Sequence, residues 1–270
     1  MEIPVNLRRN VVFTVSVCLF VIPPLFAGSA PTRAFSAWMF PLKPLCYAAL
    51  AFALVHFSFP HSVPRTRGDA FRFVQTGCAI ASFGSLCVIA SAVELAVRFS
   101  GGKTSVSPAL PSSIAETLFC IVNFVCASFY EEALYRLYLP ETLGAILKDV
   151  FLKSKKKGME TKKERAAGED ITHEDAALKK RTEAAASDDA ASENKAREKM
   201  AEAAVRISEA LSVIAFALSH RYLGLPSVVN AFFAGIMLRI CYKKSGTLWT
   251  NTASHFAYNM LSLVLFAHMQ

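Results

Sequence analysis

The amino-acid sequence predicts an all-α fold, a multi-pass transmembrane helical bundle of about seven spans with one polar cytoplasmic segment inserted into it. The first observation is composition: 53% of the 270 residues are hydrophobic, and the mean hydropathy is +0.36. The second is the distribution of charge. Residues 153–206 contain 14 of the 29 Lys and Arg and 12 of the 21 Asp and Glu. The rest of the chain is therefore apolar enough to lie in a bilayer.

A helix needs roughly 20 mostly apolar residues to cross a bilayer. The candidate spans are Val11–Phe26, Leu45–Phe59, Val74–Val97, Ile114–Leu139, Ile207–Tyr222, Ser227–Tyr242 and Leu248–Phe266. The first follows Arg8 and Arg9 and precedes Ala27-Gly28-Ser29-Ala30, which is also typical of a signal peptide. We expect an uncleaved span there, because the rest of the chain stays in the membrane. The second span is short and bounded by Pro60, so a re-entrant or tilted helix is an alternative.

Basic residues in the short loops set the expected orientation. With the N-terminus in the cytoplasm, four basic clusters fall inside: Arg8/Arg9, Arg65/Arg67/Arg72, Lys153–Lys157 and Lys243/Lys244. The basic residues that fall outside are Arg33, Lys43, Arg98 and Lys103. We therefore expect a multi-pass protein of the plasma membrane, or of the inner membrane in a bacterium, with a cytoplasmic N-terminus and insertion. Its expected partners are membrane lipid and a protein or peptide substrate, and not nucleic acid, because the basic residues lie at the ends of apolar runs.

The chain divides into four parts in sequence. They are the N-terminal spans (1–110), a first-motif helix region (111–150), the charged polar insertion (151–206) and the second- and third-motif helices (207–270). Residues 152–206 lack Pro and aromatic residues and are rich in Ala, Glu and Lys, so they cannot bury a core. They are either disordered or a solvated helix that runs through Lys195–Arg206 into the next span. The seven Cys contain no C-x-x-C spacing, so we expect small buried apolar side chains rather than disulfides.

Ionisable side chains within a span are costly and are therefore candidates for function. The first group is Glu131-Glu132-Ala133-Leu134-Tyr135-Arg136. Glu132 and Arg136 are one helical turn apart and can form an ion pair. Glu131 then has no cation on its own helix, as suits a general base in a region of low dielectric constant. The alternative is a helix end at the interface with all three groups hydrated.

The second group is Phe216-Ala217-Leu218-Ser219-His220, in which Phe216 precedes His220 by one turn and can pack against its imidazole. The alternative is an interfacial His at the end of a helix. The third group is His255-Phe256-Ala257-Tyr258-Asn259. His255 and Asn259 project from the same face of an apolar helix, and both can donate hydrogen bonds to a developing oxyanion. The alternative is a pair that hydrogen-bonds two helices together.

Depth in the membrane links the three groups. Counted at about 1.5 Å per residue, Glu131 lies roughly 26 Å from Lys148, His220 roughly 21 Å from Arg206 and His255 roughly 17 Å from Lys244. The three side chains therefore overlap in depth, which unrelated interfacial residues would not be expected to do.

Taken in order, E-E-x-x-x-R, F-x-x-x-H and H-x-x-x-N on successive apolar helices resemble the CPBP family of intramembrane proteases. This family comprises the Rce1-like CAAX prenyl endopeptidases and the bacteriocin-processing proteases, and is also called the ABI family. The resemblance covers roughly residues 114–150 and 205–263. Two features depart from it: Leu137 stands where Gly often follows the Arg, and the polar insertion separates the first two motifs. The insertion bears more on the access route than on the chemistry.

The resemblance implies a role for each motif residue. Those expected to act in catalysis are Glu131 and His220, which would activate the attacking water, and His255 and Asn259, which would hold the oxyanion. Those expected to support the site are Glu132, Arg136 and Phe216. Family members have been described both as metalloproteases and as glutamate-type enzymes. If zinc is bound, its ligands would be Glu131, His220 and His255. We favour a metal-free site, because Asn259 suits an oxyanion donor better than a partner for a metal-bound His.

The expected function is therefore an intramembrane endopeptidase that hydrolyses a peptide bond near the end, or in the membrane-proximal part, of a protein or peptide, as in CAAX processing. One alternative is a catalytically silent membrane scaffold or bacteriocin-immunity-type protein. A small transporter that relays protons through buried Glu and His is another. The sequence contains neither H-E-x-x-H nor G-x-S-x-G.

Overall fold

The structure is a computed structural model that describes residues 5–26, 40–59, 69–101, 110–166 and 176–268. Over these ranges the chain is helical and contains no β-strand, which confirms the predicted all-α class. The helices are α1 (Val5–Ser16), α2 (Ile22–Phe26), α3 (Leu42–Ser58), α4 (Asp69–Phe99), α5 (Ile114–Glu132), α6 (Leu139–Ala166), α7 (Ala176–Ser219), α8 (Leu225–Ser245) and α9 (Leu248–His268). Val17–Val21 and Ala133–Tyr138 are π-helical, and Arg221–Leu223 forms a 3₁₀ turn.

Among the described residues, four helical segments are long and apolar enough to cross a membrane: Asn6–Phe26, Arg72–Phe99, Ile114–Ser154 and Leu225–Ser245. Helix α3 is apolar but shorter. The predicted spans Ile207–Tyr222 and Leu248–Phe266 are not among the four. In α9 the reason is a concentration of polar side chains in the N-terminal part of the helix: Thr250, Asn251, Thr252, Ser254, His255 and Asn259. The helical membrane bundle is confirmed as a class. The candidate cleavage site 27–30 and the loop residues Arg33, Arg65, Arg67 and Lys103 lie outside the described residues.

The chain forms two units, one made of Met1–Pro140 with Leu211–Gln270 and the other of Glu141–Ala210. In the second unit α6 and α7 approach closely, since a Cβ on Gly144 would lie 3.1 Å from Ser208 Oγ. Helix α7 continues without interruption through Lys195–Arg206, so this part of the insertion is helical rather than disordered. The prediction of four sequence parts stays a prediction.

Large apolar side chains cover the outside of the first unit, as expected for a surface in contact with lipid. Examples of exposed side chains are Phe57, Phe73, Phe99, Ile114 and Leu225. Inside, α5 packs against α3 and α9, and α4 packs against α8 and α9. This packing brings the helices that carry the first and third motifs into direct contact.

Helix α5 begins at a variant of the capping box, in which Glu116 accepts from the amide of the residue before the N-cap Ser113. Ser113 Oγ accepts a hydrogen bond from the Glu116 amide at 3.2 Å, while Glu116 Oε2 accepts from the Ser112 amide at 2.7 Å. The reciprocal pair satisfies amide groups that have no partner within the helix. Glu116, one of the few acidic residues in the apolar body, is therefore explained by the start of α5.

The helix changes to π geometry directly after the paired glutamates, over Ala133–Tyr138, and all six residues are buried. π-Helical turns occur often at functional sites because they alter the direction of side chains. They also leave carbonyl groups that need donors from elsewhere. Ser212 Oγ on α7 donates to the Tyr135 carbonyl at 2.5 Å, and the Arg239 guanidinium on α8 donates to the Arg136 carbonyl. Two neighbouring helices thus stabilise the irregular segment.

Candidate active site

Helices α5 and α9 are joined by polar contacts on successive turns. Asn259 Nδ2 donates to Ser128 Oγ at 3.3 Å, and His255 Nδ1 lies 3.0 Å from Glu132 Oε1. Asn251 Nδ2 donates to Glu132 Oε2 at 2.9 Å. Residue numbers rise along α5 as they fall along α9, so the two helices are antiparallel here. Each turn of one helix is therefore held against a turn of the other.

Glu132 is fully buried at the centre of this row of contacts, with 0% of its side chain exposed. The predicted i,i+4 ion pair is present: Arg136 Nε lies 3.4 Å from Glu132 Oε2. The Arg136 guanidinium stacks on the Phe216 ring at 4.1 Å, and its nitrogens make no hydrogen bond within the described part of the chain. The hydrogen bonds to Glu132 come instead from His255 and Asn251 on α9, which the sequence did not indicate.

Glu131 lies between the two imidazoles. Its Oε2 atom is 3.7 Å from His255 Nε2 and 4.0 Å from His220 Nε2. About a quarter of the side chain is exposed, 24%, whereas Glu132 is fully enclosed. The adjacent glutamates therefore have different surroundings, one accessible to water and facing both histidines, the other sealed among helices.

The protonation of each His follows from the partner of its Nδ1 atom. His220 Nδ1 lies 2.9 Å from the Phe216 carbonyl, which can only accept, so Nδ1 carries a proton. His255 Nδ1 faces the Glu132 carboxylate and likewise donates. In both rings Nε2 is left facing Glu131. Two separate helices thus present the same edge of an imidazole to one carboxylate.

Phe216 forms the wall behind the histidines. Its ring centroid lies 4.8 Å from that of His220 and 6.2 Å from that of His255. Gly235 on α8 makes this packing possible, because a Cβ there would lie 3.2 Å from Phe216 Cδ1 and 3.3 Å from Val213 Cγ1. Contacts that short require the neighbour to move. The absence of a side chain at Gly235 therefore lets α8 pack directly against the Phe216 wall.

The structure gathers all seven predicted site residues into one cluster of the first unit: Glu131, Glu132, Arg136, Phe216, His220, His255 and Asn259. Asn259 is one turn from His255, and its contact is with Ser128 rather than with Glu131 or His220. Asn251 and Ser128 were missed. Both lie one turn from a predicted site residue, so the i,i+4 spacing was the signal that could have found them.

The residues expected to bind zinc if it is present, Glu131, His220 and His255, are spaced somewhat more widely than zinc ligands. Zinc bonds of 2.0–2.2 Å in a tetrahedron place ligand atoms about 3.3 to 3.6 Å apart, and Glu131 Oε2 lies 3.7 Å from His255 Nε2 and 4.0 Å from His220 Nε2. No group of three or more His, Cys, Asp or Glu within the described ranges has the spacing of a metal site. The expectation of a metal-free site also rests on Asn259 being a poor partner for a metal-bound His, but the structure gives His255 a different partner. His255 is held by the Glu132 carboxylate, as metal-bound histidines often are.

The fold and the cluster are those of a helical membrane protein with a polar site between its helices. Comparison with protein-family models matches residues 113–261 to the Rce1-like family, type II CAAX prenyl endopeptidases. The match starts at Ser113, the N-cap of α5, and extends into α9. No curated protein matches the chain. No solved structure matches it.

The match spans more than half of the 270 residues, so the chain belongs to the Rce1-like family. The resemblance inferred from the three motifs is thereby confirmed. Membership in a family of CAAX endopeptidases, together with the apolar helices, makes this protein an integral membrane protein of the protease class.

Proposed function

We propose that the protein is an intramembrane endopeptidase in which Glu131 and His220 activate water against a peptide bond of a membrane-associated protein or peptide. The observation that supports this proposal is that His220 Nε2 and His255 Nε2 both face Glu131 Oε2, at 4.0 and 3.7 Å. Both separations exceed a direct hydrogen bond. They suit one water molecule that donates to the Glu131 carboxylate and to the bare Nε2 of His220.

In the first step the water oxygen bonds to the carbonyl carbon of the substrate while its proton passes to Glu131. The π electrons of the carbonyl move onto its oxygen, which becomes an oxyanion. In the second step the oxyanion collapses, the carbon–nitrogen bond breaks, and the leaving nitrogen takes the proton from Glu131. The products are a new carboxyl terminus and a new amino terminus. This is general acid–base catalysis by a single carboxyl group that alternates between its two forms.

His255 and Asn259 would stabilise the oxyanion. His255 donates from Nε2 when both ring nitrogens are protonated, and the buried Glu132 carboxylate stabilises that cation through Nδ1. Asn259 uses one amide hydrogen for Ser128, and its second amide hydrogen is available for the substrate. Oxyanion stabilisation by fixed donors is a large contribution in acyl transfer.

The substrate class we propose is a CAAX-type carboxyl-terminal tail. Purified protein in liposomes should cleave a quenched fluorescent peptide that ends in a prenylated CAAX sequence. Glu131→Gln should lower the turnover number by about 10²- to 10⁴-fold, the usual contribution of a general base. Glu94→Gln is the matched control, since Glu94 on α4 pairs with Arg98 outside the cluster and should leave turnover unchanged.

Equal turnover of wild type and Glu131→Gln would refute the proposed base. A folded wild-type protein that cleaves neither the prenylated peptide nor its unprenylated counterpart would favour the silent scaffold. Cleavage of the unprenylated peptide alone would keep the protease and remove the prenylated substrate class.

A further inference from the structure

Asn251 is a buried amide on α9 that none of the three motifs contains. It has 0% exposure, and its Nδ2 atom makes two hydrogen bonds. One goes to Glu132 Oε2 at 2.9 Å and the other to the Leu238 carbonyl on α8 at 2.7 Å. Both acceptors lack a proton to donate, so the amide group can be oriented in only one way. Asn251 therefore links three helices at the carboxylate that holds His255.

We infer that Asn251 is a positioning residue for the proposed peptidase reaction: it fixes Glu132 so that Glu132 fixes His255. Within the described residues, Glu132 accepts one hydrogen bond on each oxygen, from His255 on Oε1 and from Asn251 on Oε2. Arg136 contributes charge at 3.4 Å without a hydrogen bond. Asn251 thus sets the rotation of the carboxylate, and with it the ring orientation and the proton on Nδ1 of His255.

The two hydrogen bonds of Asn251 also distinguish a positioning role from a role in helix packing alone. A group that only held α9 to α8 would need the Leu238 carbonyl and nothing else. The bond to Glu132 places the amide in direct contact with the residue that orients the His255 ring. Loss of this bond should therefore change the state of His255 even where the fold is kept.

The test compares Asn251→Leu, which keeps the approximate volume but removes both hydrogen bonds, with Ser254→Ala. Ser254 is buried on the same helix and bonds the carbonyls of Ala79 and Thr250, away from the cluster. We expect the kcat of Asn251→Leu to fall about 10- to 100-fold, as for other partners that orient a functional His. KM should stay within about threefold, because Asn251 does not touch substrate. Ser254→Ala should keep the kcat of the wild type.

Nitrogen-15 NMR of selectively labelled histidines gives a readout that does not depend on activity. The His255 signal is assigned by its loss in His255→Gln. In the wild type it should show a protonated Nδ1 in one environment; in folded Asn251→Leu it should shift and broaden as the ring and its proton lose their fixed state. If wild type cleaves no peptide, the proposed function fails, and the His255 signals still decide the role of Asn251. An unchanged His255 signal in folded Asn251→Leu overturns the inference, as does an unchanged kcat in an active enzyme.

Discussion

Glu132 and His255 are 123 residues apart in sequence, and their side chains meet at 3.0 Å between α5 and α9. This contact joins the first motif to the third. The two adjacent glutamates therefore have different contacts: Glu132 is bonded to His255 Nδ1, while Glu131 faces the Nε2 atoms of His255 and His220.

Glu132→Gln should lower both stability and turnover. The change leaves Arg136 buried without its counter-ion, which costs roughly 3–5 kcal/mol of unfolding free energy when a buried pair is broken. It also weakens the acceptor of His255. We expect a lower melting temperature and a lower yield in detergent, with turnover of the surviving protein reduced about 10- to 100-fold.

Glu131→Gln is the comparison, measured by a melting curve and a single-turnover assay on the same preparation. It should keep the melting temperature, because the Glu131 carboxylate lies 3.7 and 4.0 Å from the two His Nε2 atoms, beyond hydrogen-bond distance. If Glu132→Gln is stable and inactive while Glu131→Gln keeps its turnover, the two roles are exchanged.

Gly235→Val should inactivate the enzyme by moving the wall of the site. A Cβ at 3.2 Å from Phe216 Cδ1 already requires displacement, and two further methyl groups make it larger. Phe216 packs against both His220 and His255, so both rings should shift. Turnover and histidine NMR signals report this change. Gly84→Val on α4 is the control, because a Cβ at Gly84 meets nothing within 4 Å. Normal turnover of Gly235→Val would show that the wall tolerates repacking.

The insertion should lie in the cytoplasm, as the distribution of basic loop residues requires. A membrane-impermeant thiol reagent applied to intact cells should therefore fail to label Ser187→Cys. Ser100→Cys, at the end of α4 on the predicted outer side, should be labelled above the level of the native cysteines. Labelling of Ser187→Cys in intact cells would reverse the predicted orientation.

The purified active protein should contain no stoichiometric zinc, because Glu131 Oε2 lies 3.7 and 4.0 Å from the two Nε2 atoms, wider than the roughly 3.3 to 3.6 Å between zinc ligands. Elemental analysis of the same preparation used for turnover measures the metal directly. The prediction would be wrong if the protein contained one zinc per chain, if a chelator removed both the zinc and the activity, and if added zinc restored the activity.

The residues of the site could be named from sequence because the key residues of each motif are spaced by one helical turn in an otherwise apolar segment. Spacing within a helix shows which side chains share a face, as for Glu132 and Arg136. It does not show which face meets another helix, so the contacts of Glu132 with His255 and Asn251 could not be derived. The π-helical segment was also unpredictable, because it depends on donors from Ser212 and Arg239, far along the chain. The span in α9 is less apolar than expected, because its N-terminal part carries the polar site residues Asn251, His255 and Asn259.

The antiparallel contacts between α5 and α9 have a consequence for the order of biosynthesis. The ribosome completes α5, with both glutamates, more than a hundred residues before it reaches Asn251 and His255. A nascent chain that stops before Leu248 has Glu131 and His220 but lacks His255, and its Glu132 has no donor from α9. The proposed catalytic centre is therefore completed late in translation. Until α9 enters the membrane and docks, we expect a partly synthesised copy to be inactive toward the nascent membrane proteins around it, because it lacks both proposed oxyanion donors.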